Sequence, residues 1–297
     1  MRAAVLGATG FIGRALVPAL TQHADVVAVS RRGDAPQMGG VRPVAADATD
    51  ASAVRRALDG VDVVYYLVHS LGSGDFTAVD TRAAENVARE AERAGARQII
   101  YLGGLGDDAP DLSPHLRSRA ETARALAAGG VPVTTLRAAV VVGRGSAGFE
   151  TIVALVDRLP VMIAPKWISM PTQPISLDDV VGYLVGVAGH ADAAGQTFDA
   201  GGPDVLTYRE MIERVARLKG RHPRILEVPV LSPRLSSYWL HLVTPVRANV
   251  SRPLVEGLRN PTVARDDRIR AILPRHLTEF DAAAQEALRA SNPESLP

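Results

Sequence analysis

Ala3-Ala4-Val5-Leu6-Gly7-Ala8-Thr9-Gly10-Phe11-Ile12-Gly13 joins an apolar run to a glycine turn and to a helical pattern that continues to Leu20. A strand, a glycine turn and a helix in that order make an anion site. Gly7 permits the tight turn, Gly10 lets the backbone approach a pyrophosphate, and Gly13 lets helix and strand pack closely. Thr9, Phe11 and Ile12 belong to the same turn, and the positive end of the helix faces the anion. The motif sits at the first strand of the chain, where a dinucleotide domain starts. The competing reading is a tight turn that binds nothing.

The same alternation repeats through the first half. Runs at residues 26–30, 41–45, 61–68, 98–102 and 133–142 are mostly continuous and β-branched, the pattern of strands buried on both faces. Asp50 caps a helix over 51–58 that stops at Gly60, and a helix over 76–94 stops at Gly95. Ser113-Pro114 opens another that ends at Gly129-Gly130. This predicts an α/β fold, a Rossmann doubly wound parallel sheet. Beyond Gly143 the pattern loosens. Helices are expected over 149–159 and 177–187, a strand over 197–200, and a capping box at Thr207 and Glu210 starts a helix to Leu218. Residues 225–230 read as extended, 234–242 and 253–258 as helical, and a last helix lies near 280–288. Residues 1–147, completed by about 175–202, form the sheet domain. Residues 148–174 and 203–297 form a smaller, mostly C-terminal lobe.

Composition narrows the class. The chain has 297 residues, 47% apolar, with 33 basic against 32 acidic residues and a net charge of +1, so no general nucleic-acid surface is expected. It has no cysteine, which excludes disulfides, cysteine nucleophiles and thiolate metal sites. No His/Asp cluster has metal spacing, and no Gly-x-Ser-x-Gly elbow supports a hydrolase triad. No membrane span and no secretion signal are read, so a soluble cytoplasmic protein is expected.

The second strand ends Val29-Ser30-Arg31-Arg32-Gly33. Where an NAD site carries an acid for the ribose hydroxyls, two arginines stand instead. Arginine suits a phosphate dianion by charge and fork geometry, so NADP (NADPH) is the expected cofactor; the alternative is a solvated basic turn. Asp47, with Ala48 beside it, is placed to meet the adenine amino group, or else is a loop cap.

Gly7 to Gly13, Asp47-Ala48, Leu136-Arg137-Ala138, Gln173-Pro174-Ile175-Ser176-Leu177-Asp178-Asp179-Val180 and Gly201-Gly202-Pro203 together resemble the short-chain dehydrogenase/reductase superfamily. The combination is similar to its atypical extended branch, near NmrA-like and complex I 39-kDa-subunit-like proteins. Tyr66-Leu67-Val68-His69-Ser70 and Tyr101-Leu102-Gly103-Gly104-Leu105-Gly106 fit a bacterial NAD(P)H-binding subgroup. The resemblance implies a cofactor across the ends of the first, fourth and fifth strands, which brings Leu67, Val68 and His69 to the nicotinamide. It also implies a serine, tyrosine and lysine that this chain lacks. Gly103-Gly104 stands in the serine region, with Gly104 bordering the substrate. His115 takes the tyrosine place and Arg119 the lysine place, one helical turn apart.

Histidine, with a reference pKa of ~6.5, can donate a proton near neutrality. Arginine can hold the ribose but cannot relay a proton. Tyr101 is a candidate to replace the missing hydroxyl. Phe149, Met162, Trp167, Met170, Tyr238 and Trp239 are the large apolar side chains of the second lobe, of which Phe149, Trp167 and Tyr238 are expected on the substrate side. The reading is an NADPH-dependent oxidoreductase of a small apolar molecule, a ketone, enone or quinone. The alternatives are an NADP(H)-binding sensor or structural module, and a non-redox cyclase or epimerase.

Overall fold

The computed structural model describes residues 1–35, 37–69, 76–106, 114–228 and 260–291. The first half runs β1 (Arg2–Leu6), α1 (Phe11–Leu20), β2 (Asp25–Ser30), β3 (Val41–Ala45), α2 (Ala51–Ala57), β4 (Val63–Tyr66), α3 (Phe76–Arg93), β5 (Gln98–Gly104), α4 (Pro114–Ala127) and β6 (Val133–Ala138). It continues with β7 (Val141–Val142), α5 (Ala147–Arg158), β8 (Val161–Pro165), β9 (Pro171–Thr172), β10 (Ile175–Ser176), α6 (Leu177–Gly186) and β11 (Thr197–Ala200). The remainder holds β12 (Leu206–Thr207), α7 (Tyr208–Leu218), β13 (Arg224–Val228), α8 (Arg268–Ile272) and α9 (Phe280–Ser291).

The main sheet has the order β11-β6-β5-β4-β1-β2-β3, and every neighbouring pair is parallel. This is the doubly wound arrangement, with its switch point between β1 and β4. The central strands explain the apolar runs. All four residues of β4 are buried, as are Gln98 to Gly103 of β5. β3 lies at an edge with no buried residue, which accommodates Pro43.

Three apolar cores follow from this layering. One face of the sheet packs on α1 and α6 through Leu16, Leu20, Val180 and Leu184. The opposite face packs on α2, α3 and α4 through Val54, Val87 and Leu126. A third core joins α5, β8, α7 and α9 through Ile152, Met162, Met211 and Ala284. Ile269 and Leu277 pack with the first core, so this C-terminal stretch returns to the sheet.

The caps set the helix ends. Asp50 accepts from the backbone N–H of Ser52 and Ala53, and Thr207 and Glu210 form the reciprocal capping box. α5 begins earlier than its apolar period, because Ser146 caps it by accepting from Phe149 N–H. Two expected strands are shorter. The stretch 61–68 pairs only over Val63–Tyr66, and 133–142 divides after Ala138, where Val141–Val142 leaves to pair with Ile175–Ser176. The segments 234–242 and 253–258, read as helical, lie outside the described residues.

Close packing of α1 on the turn before it leaves no space at Gly13. A Cβ there would lie 2.3 Å from the Gly7 carbonyl oxygen and 2.8 Å from Ala8 backbone. Gly13→Ala is therefore expected to cost about 1–3 kcal/mol of overpacking. Urea denaturation of the variant against the wild type checks this, and equal midpoints would contradict it.

Candidate functional site

The turn from β1 into α1 is built by backbone alone. Gly7 has φ +90°, a conformation that suits glycine. The N–H groups of Gly7 and Ala8 both donate to the Val29 carbonyl at 3.1 Å, which fixes the turn on β2. A Cβ at Gly7 would lie 2.9 Å from the Leu67 carbonyl oxygen, so the segment after β4 rests directly on this turn. Gly10 differs from both. A Cβ there would meet only the Gly7 carbonyl, at 3.2 Å, and the residue is exposed. Gly10 is also the N-cap of α1 and has no side chain to cap the first-turn N–H groups. The turn thus presents open space, backbone donors and the positive end of a ten-residue helix in one place, which fits a pyrophosphate. Arg14, not singled out in the sequence, donates from Nε to the Thr9 carbonyl at 2.9 Å and brings a cation to the turn.

At the end of β2 the arginines separate. Arg32 bonds Asp34 with Nε at 2.8 Å and Nη2 at 2.7 Å. Asp34 also accepts from the Ser30 hydroxyl at 2.8 Å. These bonds, the one from Ser30 first, hold its carboxyl below the usual range. A carboxylate therefore does stand at the end of β2, contrary to the sequence reading. It follows Gly33, whose φ of +68° turns the chain back, and it is occupied by its own neighbours. Arg31 is exposed and makes no ion pair among the described residues. Asp47 accepts from the N–H and hydroxyl of Thr49 at 2.8 and 2.7 Å, which lowers its pKa, with Arg31 contributing a smaller attraction. Asn86 of α3 donates to the carbonyls of Ala48 and Thr49 and fixes this loop. Mid-helix asparagine gave no sequence signal for that role.

A second cluster forms beyond β4 and β5. His69 Nδ1 lies 2.7 Å from Asp80 Oδ2, and the ring is 11% exposed. Asp80, on α3, is 1% exposed and also accepts from the Ser118 hydroxyl of α4 at 3.3 Å. Arg119, the next residue of α4, donates to the Leu102 carbonyl of β5 at 3.2 Å. Burial first, and the Arg119 cation second, push His69 down to about 4 although Asp80 acts in the other direction. This direction favours the neutral imidazole at pH 7, in which Nδ1–H donates to the Asp80 carboxylate. The Arg119 cation thus acts on the His69 ring, an arrangement the sequence did not indicate. The side chain of His115 lies outside the described residues.

The substrate side departs further. Tyr101 is fully buried and donates to the Arg119 carbonyl at 3.2 Å, so its hydroxyl anchors α4 instead of replacing the missing serine. Phe149 and Met162 are 1% and 3% exposed within the third core, which makes them packing residues of the lobe with no surface open to a ligand. Gly104 ends β5 half-buried, against Leu116. The Trp167 side chain and all of Tyr238 and Trp239 lie outside the described residues. A cavity of about 320 Å³ opens at the end of β11 between Asp199, Gln173 and Arg270, and shares no lining residue with the glycine turn. Among the described residues there is no cluster of metal-ligating side chains, and no helix is long and apolar enough to cross a membrane.

Residues 7–154 match the NAD(P)H-binding family model. Over its length the chain is also similar, at low identity, to curated proteins and to solved structures. It is 27% identical over 241 residues to the Arabidopsis thaliana mitochondrial NADH dehydrogenase [ubiquinone] 1 alpha subcomplex subunit 9, covering 76% of this chain and 60% of that one. It is 28% identical over 229 residues to (4-alkanoyl-5-oxo-2,5-dihydrofuran-3-yl)methyl phosphate reductase of Streptomyces griseus, covering 76% and 77%. In fold it is similar to the NADPH-dependent quinone oxidoreductase of Escherichia coli solved with NADPH. The TM-score is 0.77 at 21% identity, over 98% of this chain and 100% of that one. The chain spans less than two thirds of the Arabidopsis relative.

Gly10→Val should abolish NAD(P)H binding while the protein stays folded, since the added atoms enter the space of the pyrophosphate and little else. Fluorescence titration with NADPH, alongside circular dichroism, checks both halves. Unchanged affinity would remove the turn from the site.

Proposed function

We propose that this chain is an NADPH-dependent oxidoreductase acting on a small apolar organic molecule, a ketone, enone or quinone. The observation that carries the reading is the open glycine turn after β1, with the segment after β4 resting on it and leading on to His69, on which Arg119 acts. Bound there, the nicotinamide supplies or takes a hydride. The residues do the rest. Gly7 to Gly13 hold the pyrophosphate, Asp47 and Ala48 border the adenine, and Leu67, Val68 and His69 form the floor under the nicotinamide. Arg119 holds the nicotinamide ribose and keeps a positive charge beside the reacting atoms. The sequence offers His115 as proton donor. The Streptomyces relative and the Escherichia coli neighbour, both named for reductions, support the class.

Arg31 and Arg32 are unequal in this reading. Arg32 is committed to Asp34, so Arg31 carries the preference for the 2′-phosphate. Asp34, held by Ser30 and Arg32, is not available as a ribose acceptor, which disfavours NAD. A second reading, an NADP(H)-binding module without turnover, has one observation in its favour: Gly103-Gly104 ends β5 with no hydroxyl.

Two measurements test this. In titration calorimetry NADPH should bind tighter than NADH. Arg31→Ala should weaken NADPH tenfold or more, as expected for a charge-assisted bond of ~1.5–3 kcal/mol, while Arg32→Ala changes it less. Equal affinity for the two cofactors would refute the assignment. In a spectrophotometric panel, NADPH should be consumed with at least one ketone, enone or quinone. Tight binding with no turnover across the panel would leave the binding module as the surviving reading.

A further inference from the structure

Three elements clamp one imidazole. His69 follows β4 and stands two residues beyond Leu67, whose carbonyl touches the position of a Gly7 Cβ. Its Nδ1 is held by Asp80 of α3, and Asp80 is itself held by Ser118 of α4. With Nδ1–H on the carboxylate, Nε2 carries the lone pair. Among the described residues, the charged groups that act on the ring are Asp80 and Arg119, and Tyr66 and Tyr101 lie beside them from β4 and β5. A histidine whose tautomer is set by a buried carboxylate is the arrangement that can take up a proton at its other nitrogen.

We propose that His69 is the proton acceptor of this site when substrate is oxidised, and the donor when it is reduced, with Asp80 as its positioning residue. The proposal rests on the oxidoreductase reading and narrows its substrate to a couple that carries the exchanged proton on oxygen, an alcohol and its carbonyl. In the oxidative direction the substrate O–H bond breaks and its proton passes to Nε2. The adjacent C–H bond gives its hydride to the oxidised nicotinamide, and the carbon–oxygen double bond forms. Reduction reverses each transfer.

A weakly basic imidazole suits a proton that leaves oxygen while hydride departs from carbon. The sign of the pH dependence follows. Oxidation uses the neutral ring and should be level from pH 8 down to about 5. Reduction uses the rare imidazolium and should rise over the same fall in pH.

The first test needs no turnover. Nitrogen-15 spectra of the histidine rings in the cofactor-free protein should show His69 neutral with the proton on Nδ1 at pH 7. Asp80→Asn, which presents an amide to the ring, should move the proton to Nε2. A His69 that is cationic, or protonated on Nε2, in the wild type at pH 7 overturns the proposal. The second test measures NADP-dependent oxidation of secondary alcohols and reduction of the matching ketones. His69→Ala and Asp80→Asn should each lower kcat at least tenfold, Asp80→Asn with the dissociation constant for NADPH within threefold. His69→Ala within twofold of wild type overturns the proton role alone. A wild type that binds NADPH but turns over no couple overturns the oxidoreductase reading and this role with it. If His69→Ala does not fold, the near-isosteric Asp80→Asn carries the test, and wild-type kcat in that variant overturns the proposal.

Discussion

The first turn of α1 lies so close to the Gly7 backbone that no side chain fits between them. The 2.3 Å that a Gly13 Cβ would leave to the Gly7 carbonyl, and the 2.9 Å that a Gly7 Cβ would leave to Leu67, are two sides of one constraint. β1, α1 and the segment after β4 meet there without side chains between them. The helix can then aim its N-terminus along the strand ends, and His69 is carried to the same place. Backbone packing at this point fixes the open turn and the segment that leads to His69.

Much of the sheet was legible because burial on both faces leaves a continuous apolar record, as in Val63 to Tyr66 and Ile99 to Leu102. Legibility failed where continuity in sequence outran pairing. The apolar run through Val142 conceals a change of partner after Ala138, where Leu105 N–H takes the Ala138 carbonyl and the chain leaves the main sheet. The start of α5 was missed because Ala147-Gly148 carries no apolar period, and only the Ser146 cap marks it. Phe149 read as a substrate-side residue because size and hydrophobicity alone do not distinguish a pocket from a core.

The glycine turn between β1 and α1 was readable because its geometry is local. Asp80, Ser118 and Asn86 were not, because each acts through tertiary contact between helices. Asp80 sits within a helix of alternating charges and looks like a solvated face until α4 packs on it and leaves it 1% exposed. Asp34 was passed over because it follows the expected position by several residues, and only the turn at Gly33 returns it to Ser30.

These acids explain how a nearly neutral protein receives a polyanion. With a net charge of +1, the field of the whole molecule gives little steering, so attraction must be local. Along the strand ends the carboxylates are already engaged. Asp34 is bound by Ser30 and Arg32, Asp47 by Thr49, and Asp80 by His69 and Ser118. Each is satisfied by protein donors, which lessens its repulsion toward a phosphate. The N-terminus of α1, with Arg14 beside it, then offers positive charge at the glycine turn, although the composition of the chain shows almost no excess of base. Under the proposed assignment of Arg31 to the 2′-phosphate, a carboxylate released from such a bond, Asp34 above all, would repel the same group.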